Sequence, residues 1–324
     1  MTRLSAVAIV EPPDCAALQK VFMSNPASRL AVVICSAGRP DCLADLVPFL
    51  DNQSRPADRV IFSVPGPEHI GFDPAPRFGH GTRAEVIHPP KGLPRQRNAG
   101  LDALAGDADI VVFFDDDFLP SRHALAGIEL AFAARGDVGG MTGHLIADGI
   151  NGPGFDHTEA AEMVARWDSD HPEPTEGRVL RRNLAGLYGC NMAYRVSSIG
   201  DARFDEALPL YGWQEDIDFA ARISGARIKT DAFAGVHRGA KSGRETAGQR
   251  LGYSQIANTW YLWRKGTMTA RFALRLATRN MAANHLRMLR PEPWIDRRAR
   301  AIGNWRALFD VARGRADPGR ILTL

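Results

Sequence analysis

The 324-residue sequence predicts an α/β fold, a mostly parallel central sheet flanked by helices, with a helical extension at its C-terminal end. Three observations point there. From Leu30 onward, short apolar runs alternate with amphipathic stretches, the pattern of strands joined by helices. The most strand-like run, residues 109–114, stops abruptly at three aspartates, and beyond His237 the composition turns to helix formers rich in Arg, Trp and Leu. With 45% hydrophobic and 24% charged residues, disorder and collagen-like repeats are excluded.

In chain order, residues 1–28 form an N-terminal extension, read as a strand and helix at the sheet edge. Leu30-Ala31-Val32-Val33-Ile34-Cys35 is a buried strand, and a turn at 36–40 leads to a helix whose Leu43, Leu46, Val47 and Leu50 recur at helical spacing. Residues 59–64 give a second strand closed by Pro65-Gly66-Pro67, 84–87 a weaker third, and 95–105 a helix. A helix over 121–134 takes Ser121 as its N-cap. Between 146 and 182 periodicity is lost among Gly, Pro, His and acidic residues, which predicts a long functional loop. Order returns at 188–196, and a helix starting near Asp216 is followed by a short strand around 227–230. The division expected is a main domain over 29–237 and a basic helical extension over 238–324.

Four groups of residues are candidates for chemistry. Asp115, Asp116 and Asp117 end a buried strand, where open α/β sheets place their ligands, and Asp115 and Asp117 face the same way. Three adjacent carboxylates repel one another unless a divalent cation such as Mg²⁺ or Mn²⁺ sits among them; an isolated triplet equally suits a solvated acidic turn. Trp213-Gln214-Glu215-Asp216 opens a helix, whose dipole favours an ionised carboxylate, either as a general base or as an ordinary N-cap. Lys91 to Gly100 joins cations to a helix N-terminus, which suits phosphate oxygens or a solvated helix face. His237 follows a strand, as a third metal ligand or as a structural histidine.

No HExxH, paired CxxC, GxGxxG or GxxxxGK[ST] is present, which argues against metalloprotease, classical dinucleotide and P-loop chemistry. Four cysteines without a CxxC pair point to a reducing compartment. The short apolar run before Glu11 predicts no export signal, and no run reaches the length of a spanning helix.

Taken in order, these segments resemble the family 2 glycosyltransferases of the GT-A fold, from about Leu30 to His237. Val33 to Pro40 looks like the family's first strand and nucleotide loop, and Arg97-Asn98-Ala99-Gly100 like its Arg-Asn-x-Gly segment. Asp115-Asp116-Asp117 matches the DxD metal motif, Gly189 to Arg195 resembles the acceptor-side strand, and Glu215-Asp216 matches the ED motif. The resemblance implies that Asp115, Asp117 and His237 hold Mn²⁺ or Mg²⁺. It also implies that Ser36, Arg39, Pro65, Arg97, Asn98, Asp115 and Asp116 bind the nucleotide-sugar donor. Asp216, with Glu215, would deprotonate the acceptor hydroxyl for a single inverting displacement, and Asn191, Met192, Trp213 and Gln214 would contact the acceptor. Two segments depart from the family: Ser63-Val64-Pro65-Gly66 replaces an Asp-Asp-Gly-Ser-type turn, and Cys35-Ser36-Ala37-Gly38 replaces Thr-Tyr-Asn. UDP, the family default, is expected with altered base contacts.

Net charge is +3, but residues 264–324 carry 14 Arg and Lys against 4 Asp and Glu, a net of +10, which leaves −7 on the rest. Residues 255–265 resemble a segment that follows the catalytic domain in bacterial polysaccharide-building members. The aromatics there, with Arg264, Lys265, Arg271, Arg275 and Arg279, suit an anionic inner-membrane surface or the solvated face of a covering helix. The expected protein is cytoplasmic, peripheral on the membrane, and takes a saccharide or lipid-linked acceptor of exopolysaccharide, capsule or lipopolysaccharide assembly; no nucleic-acid partner is expected. Two rival readings are a nucleotidyltransferase, against which the missing Gly-rich loop counts, and a non-catalytic nucleotide-sugar or glycan-binding subunit. The sequence leaves the oligomeric state open.

Overall fold

The computed structural model describes residues 28–241 and 248–324. All of the expected N-terminal extension except Ser28 lies outside the described residues. Strands β1 Leu30–Cys35, β2 Arg59–Ser63, β3 Arg83–Ile87 and β4 Ile110–Asp115 run parallel in the order β3-β2-β1-β4. The remaining strands are β5 Phe118–Pro120, β6 Val138–Asp148, β7 Val179–Arg182, β8 Asn191–Arg195 and β9 Ala226–His237. Here the sheet is mixed: β8 is antiparallel to β4 and β6, β9 is parallel to β6, and β5 and β7 pair antiparallel with β9.

Helices α1 Pro40–Asp51, α2 Leu93–Leu104, α3 Ala124–Ala134, α4 His157–Asp170 and α5 Glu215–Arg222 cover the two faces. Strand alternation decides which core each residue joins. Leu30, Val32 and Ile34 pack with Leu43, Leu46 and Leu50 of α1 and Leu125, Ile128 and Phe132 of α3. Ala31, Val33 and Cys35 pack with Leu101 and Leu104 of α2 and Phe219 of α5. Gly100 lets α2 lie tight on the sheet, since a Cβ there would come within 2.5 Å of the Val33 side chain.

Three local expectations are corrected. Residues 146–182 are not a long loop: they hold the end of β6, α4 and β7, and α4 opens on a capping box between Asp156 and Glu159. Helix α3 begins at Ala124 with His123 at its cap position, whereas Ser121 is buried and donates its N–H to the Ala234 carbonyl. Strand β9 also runs well past the short segment expected at 227–230.

Helices α6 Gly248–Lys265, α7 Ala270–Arg287 and α8 Arg297–Ala312 follow. Tyr253, Ile256 and Ala257 of α6 pack on Ala307 of α8. This helical unit grips the segment around α5: Asn258 Nδ2 donates to the Trp213 carbonyl at 2.9 Å, and Thr267 Oγ1 donates to Asp218 at 2.7 Å. Lys265 pairs with both Asp205 and Asp218.

Candidate active site

The C-terminal ends of β1 and β4 open onto a cavity of about 680 Å³. Ser36 and Arg39 from the β1–α1 turn, Lys91 and Gln96 at the head of α2, Asp115, Asp117 and His237 border it. Gln96 Nε2 donates to the Ser36 and Ser63 carbonyls at 2.8 and 2.7 Å, which ties the ends of β1 and β2 together.

Asp115, Asp117 and His237 each offer a ligand atom within 4.8 Å of the others. The short strand β5 brings this about, because its antiparallel pairing with β9 sets Phe118 opposite His237. His237 Nδ1 bonds Asp148 Oδ1 at 2.8 Å, and Asp148 Oδ2 accepts from the Tyr188 hydroxyl at 2.9 Å, so the ring is oriented from behind with Nε2 toward Asp117. Burial disfavours the imidazolium, but hydrogen bonds to Asp117 and Asp148 outweigh it and raise His237 to about 10. Burial would also raise Asp117, yet His237, Arg39 and the Ala240 N–H hold it below the usual carboxylate range. Two carboxylates and an imidazole already poised around one point form a donor set that fits Mn²⁺ or Mg²⁺.

A second, narrower pocket of about 150 Å³ shares Leu93, Asp115, Tyr211 and His237 with the first and reaches Trp213, Gln214, Glu215 and Asp216. Gln214 has φ +74°, the left-handed conformation that non-glycine residues adopt rarely. Asp216 accepts backbone N–H groups from Ile217 at 2.8 Å and Gly189 at 3.1 Å. Burial pushes its carboxyl up, against the attraction of Arg97 and those two N–H groups, in the direction that suits a proton acceptor. Glu215 is more deeply buried, and burial lifts it to about 8 against Arg97.

Several predicted residues sit elsewhere than expected. The Arg97 guanidinium, only 2% exposed, is spent on Glu215, on Asp115 at 3.1 Å and on the Gly189 carbonyl at 2.9 Å; it braces the carboxylates rather than reaching the open cavity. Asn98 is buried and clamps the 204–206 segment, accepting from the Phe204 N–H at 2.7 Å and donating to Glu206 at 3.0 Å. Asp116 is fully buried, holding Ser36 and Arg39 in place from below. Met192 belongs to the core, and Asn191, also fully buried, accepts from Thr142 inside the sheet; neither lines a cavity described here. Pro65 borders neither cavity. Asp148 and Tyr188 were not singled out from the sequence. Asp148 ends a strand hidden in the apparent loop, and its pairing opposite His237 is the only signal that marks it.

The mixed sheet, with acidic and imidazole groups at its strand ends and a second carboxylate pair across the cleft, has the architecture expected of the GT-A glycosyltransferases. The sequence model of glycosyl transferase family 2 matches residues 32–202, more than half of the chain, and the chain belongs to that family. Asp216 and His237 lie beyond the matched segment. No curated protein matches the sequence. Among solved structures, the chain is similar to S. aureus TarS residues 1–349 in complex with UDP-GlcNAc, at 15% identity and TM-score 0.46, over 89% of this chain and 92% of that one. It is also similar to glucosyl-3-phosphoglycerate synthase from Mycobacterium tuberculosis in complex with Mn²⁺, UDP and glucosyl-3-phosphoglycerate, at 14% identity and TM-score 0.44, over 81% and 88%. A mycobacterial protein matches at 18% identity and TM-score 0.45, over 79% and 80%.

Proposed function

We propose that this glycosyltransferase is inverting and metal-dependent, moving a sugar from a nucleoside-diphosphate donor, UDP favoured, to a saccharide or lipid-linked acceptor of bacterial surface-polysaccharide assembly. The observation that carries the reading is the cluster of Asp115, Asp117 and His237 at the mouth of the large cavity, with Asp216 across the adjoining pocket. Asp115, Asp117 and His237 would hold Mn²⁺ or Mg²⁺, which when bound neutralises charge on the leaving diphosphate. Ser36, Arg39, Lys91 and Gln96 border the space for the nucleotide and diphosphate. Asp216 takes the proton of the acceptor hydroxyl as its oxygen attacks the anomeric carbon. The bond from that carbon to the diphosphate breaks on the opposite side, so the configuration inverts. Arg97 keeps Asp115 and Glu215 paired beside the reaction and fixes the Gly189 backbone, whose N–H orients Asp216.

The same reading places the protein at the cytoplasmic face of the membrane. Among the described residues no helix is long and apolar enough to cross a bilayer. Of the segment expected to face the membrane, Lys265 is engaged by Asp205 and Asp218, and α8 adds a second exposed face. That helix exposes Ile302, Trp305 and Phe309 at helical spacing beside Arg306 and Arg313, which suits an anionic lipid surface.

Calorimetric titration of UDP, GDP, dTDP and CDP, each with and without Mn²⁺, tests the donor assignment. Metal-dependent binding of one diphosphate is the expected result. Failure of all four to bind would overturn it in favour of a non-catalytic subunit.

A further inference from the structure

Beyond Asp216 the narrow pocket continues into a groove of about 660 Å³, sharing Tyr188, Gln214 and Asp216 with it. Arg181 of β7, Lys229 of β9, and Arg275 and Arg279 of α7 border this groove. Arg275 and Arg279 are one helical turn apart on one side of α7. Among the described residues none of these four cations has a carboxylate partner, and Asp216 is the groove's only carboxylate. Most other basic side chains near the site are paired, as Arg39, Arg97 and Lys265 are. Four like charges drawn from three elements onto one concave surface repel one another, an arrangement that an anionic ligand relieves.

We propose that this groove binds a phosphate group of the acceptor, so that the substrate whose hydroxyl meets Asp216 is a phosphorylated saccharide or a sugar carried on a lipid phosphate. The inference rests on the glycosyltransferase reading above. Guanidinium forks match phosphate oxygens, and several cations match a phosphate's charge better than that of a single carboxylate. The groove's position fixes the order of the parts: nucleotide in the large cavity, reacting carbon near Asp216, acceptor phosphate among the cations.

The test titrates glucose 1-phosphate, glucuronate and glucose into the full chain loaded with UDP and Mn²⁺, so that the donor cavity is already filled. The same titrations are run on Arg275→Gln/Arg279→Gln and on Arg271→Gln, an exposed residue of α7 outside the groove. Glucose 1-phosphate should bind at least tenfold tighter than glucose. The double variant should lose at least tenfold while keeping its UDP affinity and unfolding midpoint, and Arg271→Gln should match the parent. Equal binding of glucose 1-phosphate and glucose, or binding that ignores the double substitution, overturns the proposal. Glucuronate binding as tightly as glucose 1-phosphate overturns the phosphate assignment. If UDP itself fails to bind, the donor reading falls separately, and the groove is judged by whether the double substitution weakens glucose 1-phosphate binding to the unloaded chain.

Discussion

Asp216→Asn is the substitution that separates chemistry from scaffold. The carboxylate accepts two backbone N–H groups, from Ile217 at 2.8 Å and Gly189 at 3.1 Å. An amide of the same shape has one oxygen, so its NH₂ must face one of those donors. The lost bond at this partly buried position costs about 1–3 kcal/mol, against a total stability of about 5–15 kcal/mol for a typical domain. The chain therefore stays folded. Under the proposed mechanism, loss of the proton acceptor should remove about 10²–10⁴-fold in rate, or about 3–5.5 kcal/mol of barrier. Because Asp216 does not border the large cavity, nucleotide binding should hold. The assay is nucleoside diphosphate release with the donor identified by calorimetry, alongside urea unfolding and UDP titration of the same preparation. Transfer within tenfold of the parent would refute the base assignment, and unchanged stability would refute the account of the two N–H bonds.

Asp117→Asn should lose the Mn²⁺-dependent part of nucleotide binding, read by calorimetry with and without chelator; binding that still responds to Mn²⁺ would remove Asp117 from the metal site. Gly303→Ala should destabilise the chain by about 1–3 kcal/mol in urea, because a Cβ there would meet the Gln249 carbonyl oxygen at 2.2 Å and the Tyr253 nitrogen at 2.6 Å, forcing α6 and α8 apart. A neutral or stabilising result would mean that the helices slide freely. Hydrogen bonds from Arg297, assisted by Arg287, lower Glu292 from its ordinary 4.5 to about 2. Its stabilisation is therefore present above about pH 4.5 and is lost as pH falls toward about 2. Glu292→Gln should flatten the pH dependence of unfolding free energy in that window, and parallel curves for parent and variant would contradict the pairing.

The main elements were legible in the sequence because their signals are local. The apolar run at 30–35, the helical spacing of Leu43, Leu46, Val47 and Leu50, and the aspartates closing β4 each report on a few neighbouring residues. Residues 146–182 failed for a physical reason. Only the end of β6, residues 146–148, falls in this span, and the register shift between Leu145 and Ala147 breaks at its very start the period-two alternation by which a strand is recognised. Helix α4 buries only Ala160 and Val164, so its apolar stripe is too thin to read.

By itself the sequence determined the family and put the carboxylates at 115, 117 and 216 at strand and helix ends, since these lie in ordered motifs. Only the tertiary structure decided which motif residues face the cleft and which support it. Asn98 and Met192 carry motif positions yet point into the interior, and Arg97 meets Glu215 across 118 residues of chain. Asp148 became a partner of His237, and Arg181, Lys229, Arg275 and Arg279 became one surface, through strand pairing and helix docking. Burial and charge convergence depend on what long-range packing brings together, and neighbours along the chain do not encode it one segment at a time.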